Sequence, residues 1–111
     1  MFERGALLLV PFPFSDLSAT KRRPVLALTG PDSYGDFIAL PITSRLPADN
    51  YLLLRSADLS AGSLPVTSYI RTDRIVTLSA SLVVKSFGQA GDHILAEAIE
   101  RFCAKIRFTG R

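Results

Sequence analysis

Tryptophan is absent from the 111 residues, and cysteine, histidine and methionine occur once each. The single cysteine, Cys103, cannot close a disulfide within the chain, and in a helical pattern it reads as a small buried hydrophobe in a reducing compartment. His93 and Cys103 together are too few ligands for a zinc site, so neither a metal nor a cofactor is expected. The apolar run Ala6–Val10 stops at Pro11, far short of a membrane span, and no signal-cleavage pattern surrounds it. A soluble cytoplasmic protein is the expectation. Internal repeats and low-complexity tracts are missing too.

What is present suits one β-rich domain over residues 1–111. A hydrophobic content of 48% supplies a core for a chain of this length, and seven glycines and seven prolines punctuate short apolar runs. Strands are predicted at 6–12, 24–29, 37–42, 51–54, 66–71 and 74–78, five or six in all, with a hairpin joining the second and third across the turn-rich 30–35. Pro11 and Pro13 restrict the end of the first strand to an edge or a bulge, because neither can donate a ladder hydrogen bond. The stretch 15–23, rich in Ser, Asp and Thr, is expected to be a structured loop. Ile94, Leu95, Ala98, Ile99, Phe102 and Ile106 recur at helical spacing, which predicts a helix over 92–107 with Asp92 as its cap. Strands closed by one amphipathic helix suggest a small antiparallel barrel with the helix outside.

The net charge of +3 permits a nucleic-acid partner without establishing one. Placement says more. Cutting RNA without a metal requires a base for the ribose 2′-hydroxyl, an acid for the leaving oxygen, and cations for the phosphorane. Lys21-Arg22-Arg23-Pro24 is one candidate, since Pro24 holds Arg23 extended and a guanidinium can grip phosphate bidentately. Alone, such a run is more often solvated surface charge. Thr43, Ser44 and Arg45 end an apolar strand and could meet a phosphate, although a strand-terminating turn explains them more readily. Arg71 and Asp73 alternate onto one face of an extended segment, as an acid–base pair or as an inconsequential surface ion pair. Phe12 reads as core, whereas Phe14 is as well placed to stack a base as to pack inside. His93 reads as an exposed first-turn residue.

Together, Gly5, the segment 10–18 (VPFPFSDLS), Lys21-Arg-Arg-Pro-Val25, Pro41-Ile-Thr-Ser44 and the segment 68–75 (SYIRTDRI) resemble the PemK/MazF family of type II toxin–antitoxin toxins, in the family's order. That resemblance implies an SH3-like antiparallel barrel that dimerises, sequence-selective cleavage of single-stranded RNA, and a cognate antitoxin whose tail covers the active groove. It assigns catalytic roles to Arg23, Thr43, Arg71 and Asp73; from the residues themselves, Phe14, Lys21, Arg22, Ser44 and Arg45 read as RNA contacts, with the antitoxin as the other partner open to Lys21 and Arg22. Gly5-Ala6 stands where the family usually has Gly-Asp or Gly-Glu, and Ser-Ala-Thr replaces the first-loop histidine or glutamate of several members. Asp73 is then the base, and the arginines act chiefly through charge. The alternatives are a catalytically impaired relative that only binds RNA or antitoxin, and a gyrase-binding toxin like CcdB, which works through a tryptophan this chain lacks.

Overall fold

The computed structural model describes residues 2–13 and 20–107. Among them, eight strands form one antiparallel curled sheet: β1 (Ala6–Pro13), β2 (Thr20–Ala27), β3 (Asp36–Thr43), β4 (Tyr51–Leu54), β5 (Leu59–Gly62), β6 (Ser68–Arg71), β7 (Val76–Ser79) and β8 (Lys85–Ala90). The order is β4-β6-β3-β2-β1-β8-β5, with β7 also on β3. A single helix, α1 (Asp92–Ile106), closes the chain. No helix among the described residues is long and apolar enough to cross a membrane.

The central strands are buried on both faces, which explains why β1 is an unbroken apolar run instead of an alternating one. Leu7, Leu26, Leu40, Ile42 and Ile70 turn one way and pack against Ile94, Leu95 and Ala98 of α1. Leu8, Val10, Val25, Ala27, Phe37 and Ala39 turn the other way onto a second cluster completed by Phe2, Val76, Leu78 and Val83. Phe2 and Phe37 meet edge to face there, with ring centroids 4.7 Å apart. Arg101 fastens the helix to the sheet by donating from its guanidinium to the Tyr51 carbonyl at 2.8 Å.

Several expectations need correction. Strands β5 and β8 escape the sequence pattern: LSAG and KSFGQA are short, glycine-containing and weakly alternating, and pairing with each other and with β1 decides their state. Strand β2 begins at Thr20, so Lys21, Arg22 and Arg23 belong to a strand instead of a loop; β1 supplies Phe12, Pro11 and Val10 as their ladder partners. Beyond Leu9, β8 no longer accompanies β1, and Pro11 and Pro13 fall where that side is unpaired. The cap of α1 is Gly91, with no side-chain cap bond; Asp92 lies in the first turn, where its charge suits the helix dipole. Cys103 is exposed, because it follows Phe102 by about 100° around the helix and so leaves the stripe that meets the sheet.

Leu40 has no exposed surface, whereas Ile38 on the same strand is 37% exposed. Leu40→Ala should therefore lower the unfolding free energy by about 2–5 kcal/mol in chemical denaturation. Ile38→Thr should stay within about 0.5 kcal/mol of the parent.

Candidate functional site

A proline opens the site. The last β2–β3 pair is Val25↔Pro41, and Pro24 precedes it on β2. The Leu28 N–H donates to the Ile38 carbonyl, so the even-numbered residues of β2 turn their backbone groups to β3, and Pro24 has no N–H to extend that ladder. Past Pro41, β3 pairs with β6 instead, through Ile42↔Ile70 and Thr43↔Tyr69. The start of β2 and the end of β3 thus part company, and a cavity of about 450 Å³ lies at their separation. Lys21, Arg22, Arg23, Thr43 and Ser44 all line it.

Strand alternation divides the basic run. Arg22 shares a face with Pro24, Leu9 and the helix-side core, while Arg23 shares the opposite face with Val10 and Val25. Counting two residues on from Val25↔Pro41 brings Arg23 level with Thr43, and Arg23 is half-buried where Lys21 and Arg22 are exposed. The Thr43 hydroxyl accepts from the Arg45 N–H at 3.1 Å, so it also forms the strand-ending turn. Arg45 is exposed and does not line the cavity. Phe14 and the side chain of Phe12 lie outside the described residues.

Arg71 and Asp73 do not line this cavity either. Strand β6 ends at Arg71 and the chain turns, with the Arg74 N–H reaching back to the Arg71 carbonyl at 3.5 Å. The expected extended arrangement of the pair is therefore corrected: a turn, steadied by the Thr72 N–H on the Asn50 carbonyl at 3.0 Å, replaces it. Tyr69 stands opposite Thr43, and Arg71 is the next residue on that face of β6. Tyr69 also meets Tyr51 edge to face at 5.5 Å. The Nε of Arg71 and Oδ1 of Asp73 are buried with no hydrogen-bond partner. Each such atom costs about 1–3 kcal/mol unless a water or a ligand meets it.

The remaining wall has no counterpart among the residues singled out from sequence. Ser63, Leu64, Pro65, Val66, Ser68, Lys85 and Phe87 form it, and Leu9, Pro24 and Ile42 complete the lining. Gly62 delivers the 63–66 segment: its φ is +80°, and a Cβ there would collide with the Phe87 carbonyl oxygen. Lys85 arrives through the β1–β8 register, opposite Leu9. The stretch 61–65 (AGSLP) signals a turn in the sequence; nothing there ties it to a lysine twenty positions later. None of the described lining residues is acidic, and among the described residues no cluster of His, Cys, Asp and Glu could hold a metal. A larger hollow of about 690 Å³, between β4 and the end of α1, contains none of the expected site residues. His93 is exposed, as expected, and its Nε2 lies 3.5 Å from the Asp58 carboxylate.

A curled antiparallel sheet closed by one helix, with a basic groove where two strands part, defines a small half-barrel domain of the toxin type. The sequence profile of the PemK-like, MazF-like toxins of type II toxin–antitoxin systems matches residues 3–106, and the chain belongs to that family. Its fold is similar to a chain of the MazE–MazF crystal structure from Deinococcus radiodurans, with 22% identity, 95% of each chain covered and a TM-score of 0.76. It is also similar to a mycobacterial endoribonuclease in complex with its cognate antitoxin, with 17% identity, 97% of this chain and 99% of that one covered, and a TM-score of 0.70. A third similar structure is the Mycobacterium tuberculosis toxin MazF-mt6, with 18% identity, 87% and 93% covered and a TM-score of 0.64. Among curated proteins none matches the chain significantly.

Gly35 has a similar φ of +82°, but a Cβ added there would meet nothing within 4 Å. Gly35→Ala should cost about 1–2 kcal/mol from backbone strain alone. Gly62→Ala should cost more, because the 63–66 wall must also move; thermal denaturation of the two variants compares them directly.

Proposed function

We propose that this toxin cleaves single-stranded RNA at selected sequences, without a metal ion, as a cytoplasmic homodimer silenced by a cognate antitoxin protein. The observation that carries the reading is the groove: basic side chains from β2 converge with Thr43 and Ser44 in a lining whose described residues include no acid. RNA is a polyanion whose phosphates supply the complementary charge. In the proposed reaction the ribose 2′-oxygen attacks the adjacent phosphorus, its proton passes to a base, and the bond to the 5′-oxygen breaks as that oxygen takes up a proton. The fragments end in a 2′,3′-cyclic phosphate and a 5′-hydroxyl.

Arg23 and Arg71 are assigned the charge of the pentacoordinate phosphorus, and Thr43 the positioning of the phosphate or the 2′-hydroxyl. Asp73 is assigned the proton transfer; its Oδ1 has no internal partner, which leaves lone pairs for one. Because Arg71 follows Tyr69 on the face that Thr43 shares, the RNA path proposed here runs from the groove across Thr43 and Tyr69 toward Arg71. Lys21, Arg22, Ser44 and Arg45 contact the flanking RNA, as Phe14 does in this reading. The edge strand β4 and the half-exposed Leu53 beside Tyr51 and Tyr69 offer apolar surface to a second copy.

Purified protein incubated with a long unstructured RNA in excess EDTA should cut it, and Arg23→Ala should lower the rate by about 10²–10³ while leaving thermal stability and dimer mass unchanged. Intact RNA with a gel shift would instead identify a binding-only relative, and trapped gyrase–DNA complexes a gyrase poison. For the base, Asp73→Asn should remove cleavage yet keep affinity for a 2′-deoxy oligonucleotide. Cleavage at the parental rate by a folded Asp73→Asn protein would rule out that role.

A further inference from the structure

The wall of the groove that faces the basic strand takes no part in the cleavage proposed above. Lys85 is exposed, opens β8 and lies directly opposite Leu9, which in turn lies opposite Pro24. Antiparallel partners share a face, so Lys85 stands on the same side of the sheet as Leu9, Pro24 and Arg22. Phe87, two positions on, is half-buried against the helix-side core and contributes to the same cavity. The floor between the two walls is apolar, made by Leu9, Pro24, Ile42 and Phe87. Lys85 raises the cationic side chains that line the cavity to four, and Arg22 shares its side of the sheet; no acidic residue is among the described lining.

We infer that Lys85 and Phe87 form a nucleotide subsite beside the cleavage position: the apolar floor takes one unpaired base and the Lys85 ammonium takes the phosphate adjoining it. The inference rests on the proposed RNA cleavage and extends it to residues that neither the basic run nor the Arg71/Asp73 turn includes. A nucleotide presents a flat ring with an anion a few ångströms away, and the site pairs apolar lining residues with an exposed cation. Rings of Phe87 and Pro24 suit a base plane. An acidic peptide would satisfy the charge, but only a nucleic acid joins a planar base to every phosphate, so RNA is the favoured occupant.

The full-length protein is titrated with a 2′-fluoro RNA pool of random sequence, which lacks the attacking hydroxyl, over a range of salt concentrations. Lys85→Ala should weaken binding and make the slope of log affinity against log salt less negative by about 0.7, the value for one lost single-strand phosphate contact. Lys85→Arg should restore the slope. Phe87→Leu, which keeps the core filled, should weaken binding with the slope unchanged. In cleavage assays Lys85→Ala should raise KM with little change in kcat, in contrast to the kcat loss of Arg23→Ala. A folded Lys85→Ala protein with parental slope and KM would overturn the subsite while the parent's cleavage activity leaves the proposed function standing. Loss of affinity for a poly-glutamate peptide, with RNA binding intact, would overturn it in favour of a peptide contact. If the parent neither binds nor cuts RNA, both readings fall together.

Discussion

A proline gives its neighbour strand nothing to accept, and the organisation of this protein around its site depends on that missing donor at Pro24. Were the β2–β3 ladder continuous, β3 would run on beside β2 and the sheet would close over the place where the groove lies. Instead β3 changes partners within its own length, holding β2 and β7 in its first part and β6 in its last. The change of partner curls the sheet and creates a gap whose rim is the start of β2. Basic residues in that position sit on a rigid strand and still reach solvent.

The two-sided core makes such a gap tolerable. Leu7 and Leu8 of β1 bury themselves on opposite faces, as do Val25 and Leu26 of β2, so the centre of the sheet is anchored independently by the helix on one side and by the β7 region on the other. Burying such side chains contributes about 1.5–3 kcal/mol apiece, more than a few forgone ladder bonds at about 1 kcal/mol each. The stability needed for a groove and for buried polar atoms without partners at Arg71 and Asp73 therefore comes from elsewhere in the same strands. Those atoms sit at the last residue of β6 and in the turn that follows it, β6 being the strand that β3 reaches once it has left β2.

Legibility in the sequence follows the range of the interaction. The helical spacing of Ile94, Leu95, Ala98, Ile99 and Phe102 is a local signal, and it places α1 to within a residue. The apolar runs of β1, β3 and β4 are equally plain. In contrast, β5 and β8 contain glycine and polar residues at positions that make sense only once each is seen to pack against the other; Gly62 and Gly88 sit opposite each other in that pairing. Asp92 resembles a helix cap because capping side chains are common just before an apolar periodicity, yet the backbone enters the helix one residue earlier.

The residues of the site divide in the same way. By itself the sequence determined the basic run, the prolines that flank it, the Thr-Ser ending of β3 and the family to which the chain belongs, because each is written in adjacent positions. Only the tertiary structure decided that the basic run is a strand, that Arg22 and Arg23 face opposite sides, that Arg71 and Asp73 stand across Tyr69 from Thr43 at a turn, and that Lys85 and Phe87 form the facing wall. Those outcomes depend on register and on a glycine's freedom to approach another backbone, and no local pattern encodes which distant strand will supply the partner.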